Sequence, residues 1–227
     1  MLLPIPELLS APEVLRARTL LDQAEWVDGR VTAGRQSALS KDNMQLPEDS
    51  SAARELGGDG SIGLGEERAV HLGPRFLRGS SRRCSIRYQG GQSFGTHVDN
   101  AIRTVTGTAH RIRTDLSATL FFTGPDEYDG GELVVEDTYG THSVKLPAGH
   151  LILYPATSLH HVRPVTRGAR LASFFWIQSM VRDDGDRTLL FDLDVAIQRL
   201  NGEGAPHPAA VPLTGVYHNL LRRWAEV

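Results

Sequence analysis

The stretch LPAGHLILYPATSLHHVRPVTRGARLASFFWIQS (residues 146–179) decides the fold of this chain. It consists of short apolar or alternating runs, each bounded by a turn that contains Gly or Pro. Glycine accepts positive φ angles at no steric cost, and runs of this length are typical of β-strands. Similar runs fill the chain from about residue 75 onward. Many short strands at this spacing predict a sandwich or a barrel.

Helical patterns flank this β-rich stretch on the N-terminal side. Ser10 and Glu13 form a candidate capping box, with Pro12 close to the first helical turn. A second short helix is predicted at about residues 48–56, and residues 28–46 between the two helices look irregular.

Helical patterns also follow the strands. Apolar side chains recur at helical spacing from Leu189 to Leu200, and the pattern stops near Gly202. Residues 202–212 are interpreted as a loop and residues 216–227 as a closing helix. The predicted fold class is α+β with a mainly β core. Its parts are a helical and irregular N-terminal region packed on the core (1–77), the β domain (78–180) and a helical C-terminal extension (181–227).

The composition excludes several classes of protein. The 227 residues carry a net charge of −3, which gives no sign of a nucleic-acid-binding surface. Cys84 is the single cysteine, so an intramolecular disulfide and a thiolate metal cage are impossible; it is interpreted as a buried strand residue. No apolar run reaches the roughly 18 residues of a membrane helix. We expect a cytoplasmic protein with neither a nucleic acid nor a membrane as its partner.

Two segments carry candidate metal ligands. GTHVDN (95–100) places His97 and Asp99 two residues apart, and side chains at this spacing on an extended strand share one face. SLHHVRPV (158–165) adds the neighbours His160 and His161. Two histidines and one carboxylate suit non-haem Fe(II) sites and also catalytic zinc sites, because both metals keep open positions. These residue types alone distinguish neither the metal nor the histidine that would bind it.

Arg170 lies on a predicted strand that is rich in apolar residues. Its alternate neighbours Ala172, Phe174 and Trp176 share its face. A guanidinium binds a carboxylate with two parallel hydrogen bonds, and an arginine pointing into a barrel would need an anionic partner. The alternative is that Arg170 points to solvent, as Arg163 and Arg167 are expected to do.

Several of these segments occur together and in order: YQGGQSFGTHVDN (88–100), DGGEL (129–133) and residues 146–170. This arrangement resembles the prolyl-4-hydroxylase-like branch of the Fe(II)/2-oxoglutarate dioxygenases. More narrowly, it resembles the bacterial PKHD-type hydroxylases associated with iron uptake. The resemblance covers about residues 78–178, and the helical tail is similar to the C-terminal extension of that group. It implies a double-stranded β-helix, or jelly roll, with Fe(II) bound by His97, Asp99 and one histidine of the pair.

The family pattern also selects between the two histidines. It places the distal histidine directly before x-V-x-P-V and ten residues ahead of the arginine, and His160 meets both conditions. The resemblance implies that Arg170 holds 2-oxoglutarate, that the Tyr88 hydroxyl reaches this co-substrate, and that ascorbate is an accessory reductant. The other interpretation of Tyr88 is a half-buried strand residue. Further candidates for the pocket or its entrance are Asn100, Arg103, Ser117, Thr119 and Trp176.

The resemblance implies hydroxylation of an unidentified small-molecule or peptidyl substrate, with release of succinate and CO2. Two alternatives stay open at this point. One is a non-catalytic sensor that binds iron and 2-oxoglutarate, and the other is a zinc hydrolase on a similar barrel. The C-terminal helices either cover the barrel or pair with a second copy of the chain to form a homo-oligomer.

Overall fold

The computed structural model describes most of the chain as α-helices and β-strands in an α+β arrangement. The four helices found among the described residues are α1 (Ala11–Gln23), α2 (Ser51–Gly57), α3 (Asp184–Gly202) and α4 (Ala210–Trp224). The described residues are 2–32, 38–57, 77–80, 83–104, 109, 111–202 and 207–226.

The strands begin before the predicted β domain and continue to residue 179. In chain order they are β1 (Leu3–Ile5), β2 (Val27–Asp28), β3 (Lys41–Asp42), β4 (Met44–Gln45), β5 (Leu77–Ser80), β6 (Cys84–Gln89), β7 (Ser93–His97), β8 (Ile102–Thr104), β9 (Arg111–Arg113), β10 (Leu116–Phe121), β11 (Asp129–Gly130), β12 (Leu133–Asp137), β13 (Gly140–Val144), β14 (Leu151–Pro155), β15 (His160–Val162), β16 (Val165–Arg167) and β17 (Ala169–Ser179).

Two antiparallel sheets face each other. The major sheet has the order β1-β14-β10-β17-β6-β4-β2, with β5 paired to β17, and the minor sheet has the order β13-β12-β15-β7-β3. A buried apolar layer lies between them, with Ile86 and Ile152 from the major sheet and Leu133 and Val162 from the minor sheet. These sheets form the predicted double-stranded β-helix.

The major sheet is buried on both faces, as β10 illustrates. Leu116, Ala118 and Leu120 point away from the minor sheet, into a core shared with Val14 and Leu21 of α1. Ser117, Thr119 and Phe121 alternate with them and point between the sheets, because successive strand residues face opposite sides. Burying one leucine in such a core contributes about 1.5–3 kcal/mol. Helix α1 therefore holds the outer face of the sheet that carries the pocket.

The N-terminal helix begins where its sequence signals predict. The Ser10 backbone N–H donates to Glu13 Oε2 at 2.8 Å, and the Ser10 hydroxyl donates to the same oxygen. Helix α2 spans Ser51–Gly57, within about three residues of the predicted range at its start and one at its end. The glycine-rich sequence GGDG (57–60) is predicted to end this helix, and its last three residues lie outside the described residues.

Two expectations for the regions outside the predicted β domain are wrong. Residues 28–46 are not wholly irregular, since they contain β3 and β4. Strand β3 is part of the minor sheet, and strand β4 is part of the major sheet. A two-residue strand shows no periodicity and forms only by pairing, so the sequence pattern cannot reveal it. Helix α4 begins at Ala210, inside the predicted loop. Pro212 is its third residue, where the backbone has no helical acceptor and a missing N–H costs little.

The C-terminal helices form a small core of their own. Val181, Leu190, Ile197 and Tyr217 are buried against one another where α3 packs on α4. Among the described helices, none has the length and apolar character needed to cross a membrane. The boundaries at residues 77 and 180 stay predictions.

Candidate metal and co-substrate site

A pocket opens between the two sheets at the end of β7. It is lined by His97, Asp99, His160 and Arg170 together with apolar residues of both sheets. The structure thus brings residues that are more than 70 positions apart in the sequence to one cavity.

Three donor side chains meet in this pocket. One ligand atom each from His97, Asp99 and His160 lies within 4.8 Å of the other two. His160 Nε2 is 3.7 Å from Asp99 Oδ2, and the two imidazole rings are 4.2 Å apart between centroids. It is the one cluster of three or more potential ligands found in the part of the chain that the structure describes. Two imidazoles and a carboxylate form the donor set of non-haem Fe(II) sites.

Backbone carbonyls orient both imidazoles. His97 Nδ1 lies 2.8 Å from the Gly95 carbonyl oxygen, and His160 Nδ1 lies 3.0 Å from the Ser158 carbonyl oxygen. A carbonyl only accepts, so Nδ1 of each ring carries the proton and Nε2 presents a lone pair. Such a hydrogen bond fixes the tautomer of a metal-binding histidine. Both rings can therefore bind a metal through Nε2.

Burial favours the neutral form of His97. Burial in the pocket lowers the pKa of His97, and the neighbouring His160 lowers it further. Phe94 stacks on the His97 ring with 3.7 Å between the ring centroids, which shields that side of the imidazole from water. A neutral ring at neutral pH is the form that binds a metal.

The register of β15 separates the two neighbouring histidines. His160 pairs with His97 of β7 and is 4% exposed. His161 pairs with Val134 of β12, and its side chain lies on the opposite face of the sheet. His161 Nδ1 lies 4.0 Å from a Glu136 oxygen, on that other side of the strand. Successive strand residues point to opposite faces, so only one of the two can reach the pocket. The structure places His160 there.

Ser117 supports the carboxylate of the cluster. Its hydroxyl on β10 donates to Asp99 Oδ2, so it contacts the cluster directly and orients the carboxylate. Thr119, two residues further along the same face, also lines the pocket. The sequence named both residues as pocket candidates but could not distinguish their contacts.

Replacing Ser117 with alanine is expected to weaken metal binding about tenfold, since partners of metal ligands typically contribute 10–100-fold. Calorimetric titration with Fe(II) or Ni(II) would measure the change. Ser85→Ala is a matched control, because Ser85 is a buried strand serine whose hydroxyl bonds to Ser173 at 2.8 Å, away from the cluster. Equal metal affinities for both variants would refute this role of Ser117.

Arg170 points into the pocket and not to solvent. Its side chain is 1% exposed, and its Nε and Nη1 have no hydrogen-bond partner among the described residues. The guanidinium carbon lies 5.5 Å from the centroid of the Tyr88 ring and 5.2 Å from that of Phe121. A buried cation with unsatisfied donors is costly unless an anion binds there. The arrangement therefore fits a ligand carboxylate.

Tyr88 is fully buried next to this cation. It pairs with Arg170 across β6 and β17, and burial raises the pKa of its hydroxyl to about 12. The hydroxyl stays protonated and can donate a hydrogen bond. The interpretation of Tyr88 as a half-buried strand residue is wrong, because both faces of β6 are covered at this point.

Tyr128 is a residue of this region that the sequence did not single out. It is buried beside Arg170, and its hydroxyl has no hydrogen-bond partner among the described residues. The only signal in the sequence was its position directly before the motif DGGEL. The structure explains this position, because Gly131 of the motif packs directly against the Tyr128 ring.

The second glycine of this motif makes room for Arg170. Gly131 has φ +67°, and a Cβ at this position would lie 2.8 Å from Val165 Cγ2, 2.9 Å from Tyr128 Cε2 and 3.2 Å from Arg170 Cδ. Contacts below 3.0 Å force neighbouring atoms to move. The motif therefore keeps both the backbone turn and the arginine in place.

Gly131→Ala is expected to destabilise the protein by about 1–3 kcal/mol more than a matched control, the usual cost of overpacking. It should also raise the KM for 2-oxoglutarate, because the added methyl group displaces Arg170. Gly90→Ala is the control: its φ of +59° is similar, but a Cβ there meets nothing within 4 Å. Thermal unfolding and co-substrate kinetics of both variants test this, and equal losses would contradict it.

Cys84 takes no part in the cluster. It is buried on β6, and burial raises the pKa of its thiol to about 12, so the thiolate is not formed at neutral pH. Its interpretation as a buried strand cysteine is confirmed. His71 and His110, which the sequence offered no reason to treat as ligands, lie outside the described residues.

A jelly roll that joins two imidazoles and a carboxylate to a buried arginine in one pocket defines the class of Fe(II)/2-oxoglutarate oxygenases. Residues 85–178 match the 2OG-Fe(II) oxygenase superfamily, and residues 184–226 match the PKHD-type hydroxylase C-terminal domain. A crystallised prolyl-4-hydroxylase from Pseudomonas putida shares the fold, with a TM-score of 0.53 and 19% identity; the match covers 78% of this chain and 91% of that one.

Full-length relatives make the relationship more specific. The chain is 57% identical to a PKHD-type hydroxylase of Methylobacillus flagellatus and 58% identical to one of Xanthomonas axonopodis pv. citri, over 100% of each pair of chains. The chain belongs to the PKHD-type hydroxylase family. It is a 2-oxoglutarate-dependent non-haem iron dioxygenase that needs Fe(II) and 2-oxoglutarate.

Proposed function

We propose that His97, Asp99 and His160 hold the iron. Arg170 and Tyr88 then bind the far carboxylate of 2-oxoglutarate, which is the carboxylate at the end away from the metal. The observation that carries this assignment is the buried Arg170 cation, which lines the same pocket as the three donor atoms. The donor set fits Fe(II), and the unsatisfied guanidinium fits a dicarboxylate that reaches from the cluster to β17. Bound there, the metal and co-substrate supply oxygen activation, in which 2-oxoglutarate is converted to succinate and CO2 as the substrate is hydroxylated.

The protein's own residues bind, orient and exclude water. Arg170 neutralises the far carboxylate, and the Tyr88 hydroxyl donates to it as a neutral phenol. Leu133 and Val162 of the minor sheet and Ile86 of the major sheet form apolar walls around the co-substrate. Such walls strengthen the ion pair and keep competing water away, while the hard chemistry belongs to the metal and co-substrate.

Succinate formation from 2-oxoglutarate tests this proposal. We expect Fe(II)-dependent turnover in air, slow without the substrate, that stops when the metal is removed by chelation. Zinc should bind but not support it. Tight binding of iron and 2-oxoglutarate without any turnover would indicate a sensor, and activity with zinc that ignores 2-oxoglutarate would indicate a hydrolase.

We propose a cytoplasmic enzyme that acts on a small-molecule or peptidyl substrate, with ascorbate keeping the iron reduced and with neither nucleic acid nor membrane as a partner. The need for Fe(II) and for a metabolic oxoacid supports a reducing, metabolically active compartment. Cell fractionation would test the location. Sedimentation would show whether the helices α3 and α4 pair two copies of the chain.

A further inference from the structure

Arg113 joins the β core to the C-terminal extension. It is the last residue of β9, and its Nη1 donates to Glu226 Oε2 at 2.7 Å. Its Nε and Nη2 donate to the two carboxylate oxygens of Asp115 at 2.6 and 3.1 Å, and Nη2 also donates to the Ser179 carbonyl oxygen. A guanidinium is a planar fork with five donors, so it can hold several acceptors in fixed directions at once. Here those acceptors come from the start of β10, the end of β17 and the extension.

The C-terminal extension leaves the β core and returns to it at this point. Val181, at its start, forms an isolated antiparallel bridge with Ala225. The Glu226 backbone N–H donates to the Met180 carbonyl oxygen at 2.7 Å. Helices α3 and α4 lie between these paired residues, and they therefore form a unit whose two ends meet beside Arg113.

Thr114, the next residue, holds the loop that follows Asp99. Its hydroxyl donates to the Asn100 carbonyl oxygen at 2.6 Å, and its backbone N–H donates to the Ala101 carbonyl oxygen at 3.0 Å. Thr114 is 5% exposed, so water competes little for these bonds. Ser117, three residues further on, donates to Asp99 itself. The carboxylate thus has one support on its own oxygen and two on the backbone directly after it.

Residues 113–117 lie alongside the segment that carries Asp99. Arg113 pairs with Ile102 in the antiparallel register of β8 and β9. Ser117 bonds to Asp99 at the other end of the stretch. A shift of Arg113 is therefore passed on to the loop of the carboxylate. A functional site needs its side chains within about 0.5 Å of their productive positions, so the cluster is sensitive to small displacements of this stretch.

We propose that the C-terminal extension positions the carboxylate of Asp99 for metal binding. Glu226 fixes Arg113, and the adjoining Thr114 fixes the loop that carries the carboxylate. Thr114 and Glu226 are thus positioning residues that act through Asp99 and contact neither metal nor co-substrate. This inference rests on the proposed function, since it takes Asp99 to be a ligand of the iron. It gives helices α3 and α4 a part in the reaction of the β domain.

Replacing Thr114 tests the support of the loop. Thr114→Val keeps the shape and the backbone N–H but removes the hydroxyl. We expect about tenfold weaker Ni(II) binding by calorimetry, as for other groups that orient metal ligands. The visible absorption of the Co(II)-loaded protein, which depends on ligand geometry, should change as well, and Thr114→Ser should restore both properties. Thr123→Val is the matched control, because Thr123 is also buried and its hydroxyl accepts from the Leu171 N–H at 3.0 Å, away from the Asp99 loop.

Replacing Glu226 tests the contribution of the extension. Glu226→Ala removes the acceptor of Arg113 and should weaken Ni(II) binding about two- to fivefold, because partly exposed ion pairs are weak. Glu55→Ala should leave the affinity unchanged and is the matched control, since Glu55 forms an ion pair of the same length, 2.7 Å, with Arg16 between α1 and α2. In a Thr114→Val background the effect of Glu226→Ala should disappear, because residues that act through one another are not additive.

Thermal unfolding shows whether each variant is folded. The Glu226 side chain is 43% exposed, so its variant remains informative if Thr114→Val fails to fold. Ni(II) affinities and Co(II) spectra that match in Thr114→Val and Thr123→Val would refute the positioning role of Thr114. An unchanged affinity in Glu226→Ala, or an effect that persists in the Thr114→Val background, would refute the role of the extension.

The wild-type protein separates this inference from the function on which it rests. If it binds Ni(II) and forms succinate while the variants give either refuting result, this inference alone fails. If it binds neither Ni(II) nor Fe(II) and forms no succinate, the proposed function fails as well.

Discussion

His160→Ala is expected to abolish 2-oxoglutarate turnover, and His161→Ala is expected to leave most of it. The first variant removes one of three donor atoms that lie within 4.8 Å of one another. Loss of a partner behind a metal ligand typically costs 10–100-fold, so loss of the ligand itself should exceed about 1000-fold in turnover. His161 lies on the other face of β15 and contacts Glu136 in place of the cluster.

Iron affinity and succinate formation measure this contrast. Iron binding should weaken greatly in His160→Ala and stay near the wild-type value in His161→Ala. The two variants are a matched pair, because each removes one imidazole from adjacent positions on the same short strand. Thermal unfolding of both proteins shows whether the strand itself survives. Turnover that is lost in His161→Ala and retained in His160→Ala would mean that the strand register in solution differs by one residue.

Arg170→Leu is expected to weaken 2-oxoglutarate binding at least about 100-fold while leaving the protein without co-substrate equally stable or more stable. Truncating one partner of a buried charge pair costs about 2–5 kcal/mol of binding, and 1.4 kcal/mol is a factor of ten. Without the co-substrate, however, the buried guanidinium has unsatisfied donors. Replacing it by an apolar side chain removes that desolvation cost.

Opposite changes in binding and stability distinguish this role from a structural one. Thermal unfolding is measured with and without 2-oxoglutarate, and the co-substrate should no longer raise the unfolding temperature of the variant. Arg167→Leu is the control: this neighbour is exposed, pairs with Asp129 at 2.7 Å and should change stability by no more than about 1 kcal/mol. If Arg170→Leu unfolds the protein but leaves co-substrate affinity intact in the folded fraction, Arg170 is structural.

The prediction of the β core succeeded because its signals are local. Strands such as β10 and β17 are several residues long and strongly apolar, and turns with glycine bound many of the strands. The capping box at Ser10 is likewise contained in four neighbouring residues. The short strands β3 and β4 were missed because their signal is not local. Each has two residues, and only its pairing with a distant strand makes it a strand.

The residues of the candidate site were likewise identified from the sequence only in part. The residues His97, Asp99, His160 and Arg170 were identified from the order of motifs and the resemblance that they carry, and the structure brings them into one pocket. Ser117 was a weak candidate that gained a definite contact with Asp99. Tyr128, which lies beside Arg170, and Lys41, which lines the pocket, were not identified as site residues from the sequence. A tyrosine before a turn and a lysine in a stretch without periodicity form no recognisable motif.

By itself the sequence determined the strand-rich core, because turn residues and apolar periodicity are properties of short stretches. It indicated the type of chemistry through the ordered motifs that resemble the PKHD-type hydroxylases. Only the tertiary structure decided how Ser117 contacts Asp99, why the second glycine of DGGEL is needed beside Arg170, and that Lys41 of the distant strand β3 lines the pocket. The physical reason is that these outcomes depend on strand register and on contacts between sheets. A shift of one residue in a strand reverses the face of every side chain, and a contact between Lys41 and Phe174 exists only after more than 100 intervening residues have folded around the pocket.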